Sequence, residues 1–246
     1  MTHPVRTQWI DIAPGFAGYL ALPPAGHGPG LVLFQEIFGV NEHIQGVAQQ
    51  YALAGFVVLA PDVFWREAPK VELGYEGEDW NRAIALMKAY PTEEALSDIA
   101  QTVKVLRGRP EVGGRKVGAL GYCMGGRLAI PYAADNPEVR AIVLNYPSIR
   151  EEQPNEFRPR LGFDTVKELK CATLVIWGGK DTISPLPMQQ RVIAGLMSNG
   201  QPLEYHFYHD AAHGFMSMEG ENHHADITHR LWPITTDFLE RYVAEA

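Results

Sequence analysis

The stretch that decides the fold is KVGALGYCMGGRLAIPYAA, Lys116 to Ala134. Lys116–Leu120 reads as a short buried strand and Met124–Ala134 as a helix. Between them, Gly121-Tyr122-Cys123-Met124-Gly125 has the spacing G-x-S-x-G, with cysteine where serine is usual. Small residues at 121 and 125 relieve a strained strand-to-helix turn. Such a turn lifts residue 123 above the sheet edge and leaves the first N–H groups of the helix without intrahelical partners. The helix N-terminus favours negative charge nearby and so lowers a thiol pKa. Cys123 has two readings on these grounds: a nucleophile, or a small buried residue in a tight turn.

Outward from this elbow, apolar runs alternate with helical patterns. Gly30–Glu36, Phe56–Asp62, Val139–Pro147, Ala172–Gly178 and Pro202–Tyr208 read as strands. Asn41–Gly55, Glu78–Ala89, Glu93–Arg107, Pro187–Ser198 and Ala225–Ala244 read as helices, the second and third separated at Pro91. Residues 63–77 read as an irregular excursion. The alternation predicts one domain over 1–246, an α/β fold with a mainly parallel, twisted sheet covered by helices on both faces. In such sheets chemistry sits at the carboxyl ends of the strands.

Composition narrows the partners. The chain has 246 residues and a formal net charge of −8, and no run of Lys or Arg concentrates positive charge. Nucleic acid and anionic membrane are therefore not expected partners. The first residues carry no signal-peptide pattern, and no apolar run reaches membrane-spanning length. The only two cysteines, Cys123 and Cys171, form no CxxC motif, which fits a reducing cytoplasm rather than a disulfide framework.

The order of the loops gives Cys123 its partners. Asp181, in GKDTISP, follows the strand ATLVIWG, and His213, in HDAAHGFM, follows the strand PLEYHFY. Cys123, Asp181 and His213 thus fall at one sheet edge in the α/β-hydrolase order of nucleophile, acid, histidine. His213 can take the thiol proton, and Asp181 can hold the imidazole in the required tautomer. Taken singly, Asp181 is also a common turn residue, and His213 is one loop histidine among nine. His206 and His209 lie three apart on a predicted strand and so face opposite sides, which argues against a metal centre; His223 and His224 read as surface residues. Asp62, after FVVLAP, reads as a turn or capping residue. Glu36 ends the strand LVLFQ near the sheet centre, close to the elbow. The N–H of Ile37 can pair with that of Met124 as an oxyanion hole, while an ion pair near a helix start is the other reading of Glu36.

Together these residues resemble the dienelactone hydrolase family of the α/β-hydrolases. The resemblance spans nearly the whole chain and rests on QEIFGVN (35–41), APDVF (60–64), GYCMGG (121–126), GGKDTISP (178–185) and AAHGF (211–215). It implies Cys123 as nucleophile, His213 as base, Asp181 as its orienter, and Glu36 as the group that holds the resting thiol. It implies no cofactor and a small lactone or ester as substrate, opened through a thioester. A general carboxylesterase or thioesterase with the same triad, and a non-catalytic ligand-binding protein of the same fold, are the rival readings; a product burst with labelling of Cys123 separates the last. The family pattern also holds its substrate's carboxylate with two arginines. Arg82, in DWNRAIALMKAY, matches the first position, with an exposed helix residue as the alternative. The second position, four residues after His213, is Ser217. Half of the anion clamp is therefore expected to be missing. The segment 145–164 adds Tyr146, Arg150, Arg158 and Arg160 near a possible site mouth, the arginines reading as surface residues.

Overall fold

The computed structural model describes residues 4–90, 92–149 and 163–244. Its strands are β1 (Arg6–Ala13), β2 (Phe16–Leu22), β3 (Gly30–Phe34), β4 (Val57–Pro61), β5 (Val117–Tyr122), β6 (Val139–Asn145), β7 (Ala172–Gly178) and β8 (Leu203–Tyr208). The helices are α1 (Glu42–Leu53), α2 (Gly77–Ala89), α3 (Thr92–Gly108), α4 (Met124–Asp135), α5 (Leu186–Ser198) and α6 (Ala225–Leu239), the last continued by a looser turn over Glu240–Ala244.

The strands form one eight-stranded sheet in the order β1-β2-β4-β3-β5-β6-β7-β8. From β4 through β8 every neighbouring pair is parallel. Residues of β3, β4, β5 and β7 are buried throughout, as expected of parallel strands covered on both faces. On one face α1 meets α6, where Tyr51 Oη and Thr235 Oγ1 lie 3.0 Å apart. On the other, α3 packs against α4.

The N-terminal hairpin, β1 and β2, was not foreseen. It joins the sheet antiparallel, with β2 pairing β4, and turns at Gly15 with φ 80°. The excursion after β4 is irregular but tied down. The Asp62 carboxylate accepts the Lys70 N–H, Leu73 N–H donates to Phe38 O, and Gly39 bridges Glu72. Asp62 is thus a turn residue. No helix among the described residues is long and apolar enough to cross a membrane.

Register positions the chemistry. Phe34 pairs with Gly121, Tyr122 with Asn145, Asn145 with Ile176, and Gly178 with Tyr208. The ends of β3, β5, β6, β7 and β8 are therefore level, and the residues that follow them collect along one edge.

Candidate active site

The elbow is built by close backbone approach. A Cβ on Gly121 would lie 2.4 Å from the Gly125 carbonyl carbon, and one on Gly125 would lie 2.5 Å from Phe34 O. Only glycine fits either position. Cys123 between them is held at φ 51°, ψ −113°, a left-handed conformation that costs energy in a residue with a side chain. Its backbone is fixed on both sides, with its N–H donating to Asn145 O and its carbonyl accepting from Ser148 N–H, each at 3.0 Å. The strain raises the half-buried side chain over the sheet edge, at the start of α4.

A second close approach joins the acid to the base. A Cβ on Gly178 would sit 2.2 Å from Ala211 O, so the loops after β7 and β8 can touch only because residue 178 is glycine. Lys180 N–H then donates to Ala211 O at 2.9 Å. Within these loops Asp181 Oδ1 accepts from the N–H groups of Ile183 and Ser184, both at 2.8 Å. Its Oδ2 lies 2.8 Å from His213 Nδ1. The carboxylate is buried and oriented at both oxygens, so it fixes the imidazole rather than swinging with it. The Tyr146 ring meets the imidazole edge-on, centroids 5.2 Å apart.

The other ring nitrogen, Nε2, is buried and has no well-aligned hydrogen bond among the described residues. Cys123 nonetheless acts on it. Burial by itself disfavours the charged imidazole, but the Cys123 charge, the Asp181 hydrogen bond, the contact with the Cys123 sulfur and the Asp181 charge together outweigh it and raise His213 to about 10. Cys123 and His213 line the same cleft, and catalytic hydrogen bonds of this kind often tighten only when substrate binds.

Glu36, Cys123 and His213 line a cleft of about 620 Å³. Glu36 is buried beside the elbow, and its Oε2 accepts from Ser217 Oγ at 2.8 Å and from Tyr75 Oη at 3.1 Å. Tyr146 Oη lies 3.3 Å from the same Ser217 oxygen. Burial first, and then the Glu36 charge, push both phenols well above their usual range, so each remains protonated and able to donate. The hydrogen bonds of Glu36 in this arrangement run to these hydroxyls. The Met124 N–H is the first of α4 and so has no partner in its own helix, and Ile37 lines the cleft next to Glu36.

Arg82 is not brought to the cleft. Trp80, Ile84 and Met87 form the face of α2 that lines it. Arg82 lies about 200° around the helix from Trp80 and is exposed. The arginine lining the cleft is Arg127, one turn into α4. Arg150, Arg158 and Arg160 lie outside the described residues. Tyr146 is fully buried under the imidazole rather than at the mouth.

A sequence profile described as "Dienelactone hydrolase family" matches residues 16–243. The chain belongs to the dienelactone hydrolase family. Its members here include the carboxymethylenebutenolidase of Pseudomonas sp. strain P51, 30% identical over 227 residues, covering 92% of this chain and 90% of that protein. The carboxymethylenebutenolidase of Pseudomonas putida is 30% identical over 201 residues, covering 81% and 80%. In fold, the chain matches a Klebsiella pneumoniae crystal structure provisionally assigned as a dienelactone hydrolase, with TM-score 0.86 and 24% identity, covering 98% of this chain and 100% of that one. Family membership makes the protein a hydrolase of ester bonds, on the α/β-hydrolase fold.

Tyr75, Ser148, Trp80 and Arg127 were missed in the sequence. The i, i+4, i+7 spacing of Trp80, Ile84 and Met87 was the available signal for α2, because it fixes which face is apolar. Tyr75 and Ser148 carry no such signal, since each reaches the cleft from irregular chain.

Proposed function

We propose that the protein hydrolyses a lactone or carboxylic ester through a thioester on Cys123, in a reducing cytoplasm and without a cofactor. The observation that carries this reading is the 2.8 Å contact of Asp181 with His213 Nδ1, which leaves Nε2 for the half-buried Cys123. The Cys123 sulfur attacks the carbonyl carbon, and the resulting oxyanion is stabilised by the N–H groups of Ile37 and Met124. Protonated His213 delivers its proton to the leaving alkoxide oxygen as the C–O bond breaks. Water then attacks the thioester, His213 takes a proton from it, and the acid leaves as the thiolate re-forms. Glu36, beside the elbow, is the carboxylate that stands next to the nucleophile through this cycle.

The substrate reading departs from the family's carboxylated lactone. Ser217 is committed to Glu36, and a hydroxyl offers at most one neutral hydrogen bond where a bidentate arginine offers two charge-assisted ones. Arg82 faces away. The test is kcat/KM on matched lactones with and without a free carboxylate. Preference for the neutral lactone, lost altogether in Cys123→Ala, supports the reading; a strong preference for the carboxylated one overturns the substrate half of it.

A further inference from the structure

The cleft is larger than a small lactone needs. Its volume of about 620 Å³ falls within the range of sites that enclose drug-sized ligands. The reacting groups occupy only its floor. From there a row of aromatic rings runs outward. Tyr75, bonded to Glu36, packs against Phe38 with the rings tilted and centroids 4.2 Å apart, and Phe38 meets Trp80 at 5.7 Å. Ile84 and Met87 extend this surface along α2. Trp80 ends the row at the mouth and is 46% exposed, although it lines the cleft. An exposed tryptophan continuous with buried aromatic wall marks a surface that a ligand covers.

The polar groups of the cleft set the sign of what can lie there. Among the described lining residues, Glu76 and Glu221 are exposed at the rim and Glu36 is on the floor, three carboxylates against Arg127 and the His213 imidazolium. The balance repels a negatively charged arm. Near the elbow, Ser148 Oγ is buried without a hydrogen-bond partner among the described residues, in a residue that lines the cleft, and its N–H is bonded to the Cys123 carbonyl. A buried, unpaired hydroxyl on a residue that lines the cleft beside the nucleophile is a group that a neutral polar part of the substrate could satisfy.

We infer that the substrate is an ester or lactone bearing an apolar, uncharged arm that lies on the Phe38–Trp80 shelf, with Trp80 as its specificity-determining residue. This rests on the hydrolase reading above but is tested separately from it. The probes are p-nitrophenyl acetate, phenylacetate and hemisuccinate, assayed with wild type, Trp80→Ala and Glu76→Gln/Glu221→Gln. Wild type should prefer phenylacetate to hemisuccinate by about tenfold or more in kcat/KM, and Trp80→Ala should lose about tenfold on phenylacetate while acetate stays within about twofold. The double glutamine variant should gain on hemisuccinate alone. Equal losses on all three esters in Trp80→Ala, or hemisuccinate as the best wild-type substrate, would overturn the inference. Calorimetric binding of benzyl methyl ketone and levulinate to Cys123→Ala reads the same arm without turnover. Trp80-dependent ketone binding in a protein that hydrolyses none of the esters would sink the hydrolase reading and keep the shelf; hydrolysis without Trp80 dependence would do the reverse.

Discussion

Ser217 Oγ donates to Glu36 Oε2 at 2.8 Å, so the residue standing where the family pattern has an arginine is the partner of the carboxylate beside the nucleophile. Ser217 is 1% exposed. The missing clamp is therefore a rebuilt contact rather than a vacant one, although Ser217 lines the cleft. Ser217→Ala should cost about 1–3 kcal/mol, the usual penalty for leaving a buried polar partner short of a bond, and should slow turnover by loosening Glu36. Ser217→Arg should be more destabilising, because it breaks the bond to Glu36 and puts a bulky cation at a buried position. Thermal melts and steady-state rates of both variants check this. A soluble Ser217→Arg of wild-type stability would show the site to be far more open than it is here.

The alkaline limb of activity should belong to His213. Against the effect of burial, its pKa is raised to about 10, first by the Cys123 charge and then in part by the Asp181 hydrogen bond and charge. The imidazolium, which supplies the proton to the leaving group, is thus retained through neutral pH and lost as pH rises toward 10. Asp181→Asn keeps an oxygen for the Ile183 and Ser184 N–H groups but removes the charge, so the limb should move toward neutral. The rate should fall by roughly three to four orders of magnitude if the wrong tautomer is stabilised, as in other triads. The pH dependence of kcat/KM in both proteins is the measurement, and an unmoved limb would separate Asp181 from the base.

Much of this was legible in the sequence, and the reasons differ by element. The parallel core was readable because β3, β4, β5 and β7 are uninterrupted apolar runs, buried on both faces. The meeting of Asp181 with His213, and of His213 with Cys123 in one cleft, was readable because loop order along an α/β chain maps onto one sheet edge. The hairpin was not, because RTQWIDIA is largely exposed or half-buried and so lacks an apolar run. Arg82 was misplaced by aligning a residue type without fixing helix phase; Trp80 and Ile84 settle that phase and turn Arg82 outward. The hydroxyl partners of Glu36 were out of reach, since Tyr75 and Ser217 meet it from 39 and 181 residues away along the chain.

Cys171 should be inert. Burial pushes its thiol up to about 12, so almost none is thiolate at neutral pH. Iodoacetamide at pH near 8 should modify Cys123 and leave Cys171 unlabelled in the folded protein, as peptide mass mapping would show. Cys171→Ala should keep the wild-type rate.

Asp62 gives stability an unusual slope. Burial, opposed by hydrogen bonds from Lys70 and Phe64 N–H and by the Lys70 charge, raises its carboxyl to about 6 from an ordinary 3.8. The folded state therefore holds a proton that the unfolded chain has lost. This contribution is fully present below about pH 4 and disappears as pH rises through about 6, so Asp62 weakens the fold toward neutral pH. Asp62→Asn should flatten that part of the stability–pH curve, which urea titrations between pH 4 and 7 would show. An unchanged slope would mean the carboxyl is better solvated than its burial implies.

The central claim is the covalent intermediate. Rapid mixing with p-nitrophenyl acetate, acid quench and intact mass measurement reads it directly. The account predicts a burst of nitrophenol matched by one acetyl group on Cys123, released by neutral hydroxylamine as a thioester should be, and no burst in Cys123→Ala. Full turnover by Cys123→Ala, or an acetyl group found on another residue in the wild type, would contradict it.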